Sequence, residues 1–211
     1  MAQIDAPQLD NLTLFLFYQP QAVMDAPQLV QFIGRTPRLK ALKELRVIFH
    51  RRGIFVSLPW RHRRGVLFAV VHEPPDQLPV LVELCTSSFL RTLISIVKHL
   101  YLIVDRFLHI RVIERSQWLE LLHPFTAVKD LYLSCEFASH IGPTLRRSVG
   151  EGMIEVLPSL QNLFLDEIRY IGQPFRKFVA ARQLSGHQIA ISHWDGERGP
   201  WLEYEVGFRV Y

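Results

Sequence analysis

Residues 128–133 read Val-Lys-Asp-Leu-Tyr-Leu, a motif with apolar residues at its first, fourth and sixth positions. The same Leu-x-x-Leu-x-Leu pattern, with Val sometimes replacing Leu, begins at Leu9, Leu42, Val97, Val128 and Leu160. The middle leucines of the last three copies lie at 100, 131 and 163, which are 31 and 32 residues apart. So regular an interval is typical of a repeat array, a class of protein that mostly presents surfaces for binding.

The motif predicts a β-strand because its last two apolar residues are two positions apart and therefore share one strand face. One strand cannot bury that face alone, so neighbouring repeats must stack as parallel strands. Parallel strands require long crossovers, which are usually helical. Apolar spacing and turn residues predict helices within 28–32, 78–97, 117–122, 141–156 and 175–184.

The interval between Leu45 and Leu100 is about twice the usual one, which indicates a hidden strand at 65–71. A further strand is predicted at 187–191. The fold class is therefore α/β: a solenoid of about seven irregular repeats, with a parallel sheet on the concave face and helices on the convex face. We expect residues 1–194 to form this solenoid and residues 195–211 to form a C-terminal tail or capping strand.

Composition and termini indicate an intracellular protein of the cytoplasm or nucleus, neither secreted nor bound to a membrane. The chain has 49% hydrophobic residues, enough for one substantial core. The N-terminus lacks the features of a secretory signal, and charges interrupt the most apolar stretch, 90–113. The first repeat begins within ten residues of Met1, leaving no room for a capping unit, so we expect the chain to be a fragment of a longer protein.

Motifs of catalysis are scarce. The sequence contains no phosphate-binding Gly-x-x-x-x-Gly-Lys loop, no Gly-x-Ser-x-Gly nucleophile turn and no His-Glu-x-x-His metal motif. Its nine histidines are scattered, and no Cys/His pairing has zinc-ligand spacing. The prediction is a protein that is not an enzyme, with no catalytic residues, no metal and no cofactor.

Residues between the motif leucines point away from the core, toward the concave face. Three successive repeats place an aromatic residue there, and an earlier one places arginine: Tyr101, Tyr132, Phe164 and Arg46. Rigid aromatic rings bind partners at low entropic cost, so these four residues are the candidate protein-binding site. Alternatively, the rings only stack along the sheet and stabilise it.

An arginine-rich segment at 50–64 carries five arginines and no acidic residue: Arg51, Arg52, Arg61, Arg63 and Arg64. Clustered arginine beside Trp60 suits nucleic acid or another polyanion, which makes polyanion binding the alternative function. These charges could equally be solvated loop ends beside an edge-like strand.

Four stretches resemble the leucine-rich-repeat region of F-box proteins of mushroom-forming fungi. They read IDAPQL at 4–9, QWLELLHPFTAVKDLYL at 117–133, VLPSLQNLFL at 156–165 and FVAARQLSGH at 178–187. In that family an F-box docks on the adaptor of an SCF-type ubiquitin ligase, and the repeats select the protein to be ubiquitinated. The resemblance implies a leucine-rich-repeat solenoid that acts in substrate recognition.

The chain departs from that family in lacking the Leu-Pro-x-Glu cluster with which an F-box begins. Adaptor binding is therefore expected only if an F-box lies upstream. The resulting hypothesis is a non-catalytic protein–protein interaction module with an unidentified protein client, for which nucleic acid is an unlikely partner.

Overall fold

The structure is a computed structural model that describes residues 11–17, 43–50, 53–58, 65–71, 77–86, 88–104, 115–147, 156–166 and 173–195. These residues form eight strands: β1 Asn11–Phe17, β2 Glu44–His50, β3 Gly53–Leu58, β4 Gly65–Val71, β5 His99–Val104, β6 Asp130–Leu133, β7 Asn162–Leu165 and β8 Ala190–His193. They also form five helices: α1 Gln77–Thr86, α2 Ser88–Ile94, α3 Arg115–Leu122, α4 Cys135–Arg147 and α5 Gln173–Leu184.

All eight strands belong to one sheet, in the order β1-β4-β3-β2-β5-β6-β7-β8. Five neighbouring strands, β2, β5, β6, β7 and β8, run parallel. Helices α3, α4 and α5 lie in the crossovers between β5 and β6, β6 and β7, and β7 and β8. The predicted α/β class is confirmed, as is the strand at 65–71. The strand predicted at 187–191 occupies Ala190–His193 instead.

The expectation of an entirely parallel sheet is wrong, because β3 pairs antiparallel with both β2 and β4. Only two residues separate β2 from β3, too few for the crossover that a parallel pair needs. The long interval between Leu45 and Leu100 thus holds two extra strands. The alternative interpretation of the arginine-rich segment placed an edge-like strand beside its loop ends, but β3, which lies there, is interior to the sheet.

Helix predictions were correct in position and less so in extent. The predicted helix at 78–97 is divided between α1 and α2, and the one at 141–156 is α4, which begins six residues earlier. The Ser185-Gly186 turn ends α5, where Gly186 adopts a φ of 83° that favours glycine. Residues 28–32 lie outside the described residues.

The core lies between the sheet and the helices. The last two apolar residues of each motif are buried in β2, β5, β6 and β7. The first motif residues Val97, Val128 and Leu160 are buried as well. Phe137 of α4 joins sheet to helix layer, because its ring contacts Phe49 of β2 at 4.9 Å and Trp118 of α3 at 5.1 Å. The motif residues therefore build the core that the sequence predicts.

Successive parallel strands are linked by backbone hydrogen bonds that recur at equivalent positions. The carbonyl of Lys43 accepts from the N–H groups of residues 98 and 99, that of Lys98 from 129 and 130, and that of Lys129 from 161 and 162. At the other end of the strands, the backbone N–H of Ser134 donates to the carbonyl of Leu102, that of Asp166 to Leu133 and that of Trp194 to Leu165. The units that carry β5, β6 and β7 therefore repeat in hydrogen bonding as well as in sequence.

Within the described part of the chain, every helix is too short or too polar to cross a membrane. Asp195 is the last described residue, so the predicted boundary between solenoid and tail stays a prediction.

Candidate functional site on the open face of the sheet

The side of β2 and β5–β8 that faces away from the buried leucines is here called the open face. Strand pairing aligns one residue from each of these strands across it: Arg46, Tyr101, Tyr132, Phe164 and Ser192. We call this set the aromatic row. The structure thus brings together the four residues predicted as a protein-binding site.

The three rings of the aromatic row form one continuous stack. Tyr101 and Tyr132 are 4.0 Å apart between ring centroids, with planes 9° apart, and Tyr132 and Phe164 are 4.4 Å and 7° apart. These distances are close to the spacing of about 4.8 Å between neighbouring strands. Parallel pairing therefore fixes the stack, and all three side chains remain half-buried.

Arg46 closes the first end of this stack. Its guanidinium lies over the Tyr101 ring, 4.6 Å from the centroid, and its Nε donates to Glu44 Oε1 at 2.6 Å. Only 5% of Arg46 is exposed. The sequence predicted a contact residue here, whereas the burial indicates a residue that holds Tyr101 in place.

Trp194 covers the side of the stack. Its ring meets Tyr101 and Tyr132 edge to face, at interplanar angles of 64° and 73° and centroid distances of 5.7 and 5.5 Å. The predicted site did not include Trp194. Its position two residues beyond Ser192 on the same face was the available signal.

A second row of polar residues lies beside the aromatic row, two positions earlier in each strand. His99 Nδ1 contacts Asp130 Oδ2 at 2.6 Å, and Asn162 Nδ2 donates to Asp130 Oδ1 at the same distance. Glu44 is the register neighbour of His99. Both oxygens of Asp130 thus bind neighbouring strands, which indicates that this row aligns them.

Burial, and to a smaller extent these carboxylates, raises the pKa of both tyrosine hydroxyls. Burial raises the pKa of Tyr101 above its ordinary value of 10.0, and Glu44 and Tyr132 raise it further. Burial also raises the pKa of Tyr132, although its hydrogen bond with Tyr101 opposes that change. Both hydroxyls therefore stay protonated at neutral pH.

Ser134 and Asp166 bind the backbone of the preceding unit at the end of their strands. Ser134 Oγ accepts from the Val104 N–H at 3.0 Å, and Asp166 Oδ1 accepts from the Cys135 N–H at 2.7 Å. Side-chain ligand atoms of Cys135, Glu136 and Asp166 lie within 4.8 Å of one another. Capping of α4 explains this arrangement, so it is not grounds for assigning a metal.

The aromatic row extends into the antiparallel part of the sheet through Ser57, whose register neighbours are Arg46 and Leu67. Thr13 of β1 pairs with Leu67. The arginine-rich segment is a different case, because Arg51, Arg52, Arg61, Arg63 and Arg64 all lie outside the described residues. Polyanion binding through them stays a prediction.

Comparison with known protein families, with curated proteins and with solved structures finds no match to this chain.

Proposed function

We propose that this chain is a non-catalytic protein–protein interaction module that binds a protein client on the open face of its sheet. The carrying observation is the stack of Tyr101, Tyr132 and Phe164, whose rings are half-buried on the side of the sheet away from the core. Large rigid rings contribute most of the binding energy at many protein interfaces.

Preorganisation favours this function. Because strand pairing and the Arg46 guanidinium already fix the rings, a client that covers them restricts few additional rotamers. Binding therefore loses less conformational entropy than it would with independent surface side chains. The stabilisation that stacking gives the sheet is compatible with this role.

The finer architecture that we propose is a leucine-rich-repeat solenoid made by the units that carry β2 and β5–β8. Its support is the recurring Leu-x-x-Leu-x-Leu motif, together with the equivalent hydrogen bonds of Lys43, Lys98 and Lys129. On this proposal β3 is an inserted strand, antiparallel to both β2 and β4. The open face corresponds to the concave face of such a solenoid.

The resemblance to fungal F-box proteins suggests the biological role that we propose for this chain. It would select its client protein for an SCF-type ubiquitin ligase. A chain without an F-box would bind the client and leave the adaptor unbound. Overproduced in the native cell, it would compete with the complete ligase and lengthen the half-life of the client. The Tyr132→Ala variant would not.

Site-specific photo-crosslinking tests where the client binds. A photoreactive amino acid replaces Ile103, a half-buried open-face residue two positions after Tyr101, or Lys177, an exposed residue of α5, as the control. We expect one protein to be crosslinked from position 103 and not from 177. Equal crosslinking from both positions would contradict an open-face site.

The crosslinked protein is then purified and titrated against the unmodified chain. We expect Tyr132→Ala to weaken binding by at least about tenfold, since truncation of an aromatic hot-spot residue costs about 2 kcal/mol or more and about 1.4 kcal/mol corresponds to tenfold. Lys177→Ala should bind as the original chain does. A folded Tyr132→Ala variant with unchanged affinity would refute the proposal.

A further inference from the structure

We propose that the client presents an arginine whose guanidinium stacks on the outer ring face of Phe164, above Ser192. The client segment on the open face is then a cationic one. This inference rests on the proposed function and specifies its partner.

The stack is closed at one end and open at the other. Each ring in it has a planar neighbour on both faces, except the last: Arg46 and Tyr132 flank Tyr101, and Tyr101 and Phe164 flank Tyr132. Phe164 has Tyr132 on one face, and its other face is directed toward β8 because the stack follows the strand order. Tyr132 is its single ring contact among the described residues.

The residues of β8 beside Phe164 are small. Ser192 is the register neighbour of Phe164, and Ala190 is the register neighbour of Asn162. Ala190 is exposed and Ser192 is half-buried, so this part of β8 is accessible from solvent. A planar group placed above Ser192 would continue the stack at the spacing of the strands, about 4.8 Å.

Charge favours a cation at this position. The described strand residues of the open face carry two carboxylates, Glu44 and Asp130, and one guanidinium, Arg46, which is paired with Glu44. Together with Asp166, which lies just beyond the end of β7, their formal charge is −2 with histidines neutral, although the whole chain carries +4. Asp166 lies two residues after Phe164 in the chain, and its Oδ1 accepts from the Cys135 N–H.

Arginine fits this site better than lysine does. The chain already places one guanidinium against the stack, at Tyr101, where the planar group lies over the ring and donates to a carboxylate. A guanidinium is planar and weakly hydrated, whereas an ammonium is compact and strongly hydrated. The open end would repeat the arrangement of the closed end with an arginine from the client.

Peptide titrations on the full chain test this. Three labelled peptides with a Gly-Ser spacer differ at every third residue, which is arginine, lysine or phenylalanine. We expect the arginine peptide to bind about threefold to fivefold more tightly than the lysine peptide, in proportion to a cation–π contact. Equal affinities of these two, or tightest binding of the phenylalanine peptide, would overturn the inference.

Two variants locate the contact. Ser192→Phe adds a ring where the arginine would stack, and should reduce the affinity of the arginine peptide to that of the lysine peptide. Gln188→Phe adds the same ring at an exposed position outside the aromatic row and should leave the preference for arginine intact. An unchanged preference in a folded Ser192→Phe variant would overturn the inference.

The inference and the proposed function fail differently. Binding of the crosslinked client that is lost in Tyr132→Ala but unaffected in Ser192→Phe would refute the arginine site and leave the open-face function standing. An affinity unchanged in both variants would refute both.

Discussion

The two faces of the parallel strands differ in the burial of their side chains and in the residue types that they carry. On the core face Leu131 is fully buried, whereas its neighbour Tyr132 is half-buried on the open face. The core face accepts any apolar side chain of suitable volume, and its leucines and valines are partly interchangeable between repeats. The open face carries planar and charged groups in fixed order, each held by the strand beside it. Stability therefore depends mostly on the first face, and the recognition that we propose depends on the second.

The largest expected effect is on the core face. Leu131→Ala should lower the free energy of unfolding by about 2–5 kcal/mol, because it leaves a cavity among fully buried neighbours. Tyr132→Ala should lower it by about 1 kcal/mol through the loss of two stacked neighbours. Urea denaturation of both variants measures this difference, and equal losses would contradict the division of roles between the faces.

The next comparison is between two buried arginines, Arg182 on the core side and Arg46 on the open face. Arg182 of α5 is fully buried on the core side, where its Nη2 donates to the carbonyls of Val156 and Leu157 at 3.1 and 2.8 Å. Leu157 adopts a φ of 53°, in the left-handed region, and these hydrogen bonds hold it there. Arg182→Met should therefore cost about 1–3 kcal/mol, since two carbonyls lose their donor.

Arg46→Met is the matched control for that variant. It should cost less, because Glu44 is partly accessible and can be solvated once its partner is removed. Urea midpoints compare the two variants. A larger loss for Arg46→Met would show that the open face contributes more stability than its burial indicates.

Removal of Trp194 should change the open face and spare the core. Trp194→Ala loses two edge-to-face contacts, for a decrease of about 0.5–1.5 kcal/mol in unfolding free energy. Its near-ultraviolet circular dichroism should lose the signal of the coupled rings, while the far-ultraviolet spectrum stays unchanged. Ser185→Ala, at the exposed end of α5, is a control that should leave the ring signal intact. An unchanged near-ultraviolet spectrum for Trp194→Ala would contradict the ring contacts.

The smallest expected effect is on pH dependence. Because the folded pKa of Tyr101 is raised above 10.0, the folded chain retains a proton that the unfolded chain releases. The contribution of the buried Tyr101 hydroxyl to the free energy of unfolding is complete below pH 10.0 and is lost as pH rises above that value. Urea midpoints at about pH 8 and pH 10.5 should fall more for the original chain than for Tyr101→Phe. The same decrease in both would contradict a buried, protonated Tyr101.

Much of the fold was predictable because its signal is local. The motif at 97–102, 128–133 and 160–165 predicted three strands, their parallel pairing and the direction of every side chain on them. Alternation then predicted that Tyr101, Tyr132 and Phe164 would be neighbours. The hairpin between β2 and β3 was not predicted, because the interval between Leu45 and Leu100 indicated a single additional parallel unit.

The sequence by itself determined which residues face the core and which face away, because a strand alternates its side chains whatever its surroundings. Only the tertiary structure decided that Arg46 is buried against Tyr101, that Trp194 lies across the stack and that Asp130 links His99 to Asn162. Those contacts join residues 31 to 93 positions apart in sequence or place one side chain over another, and the order of strands in the sheet fixes them.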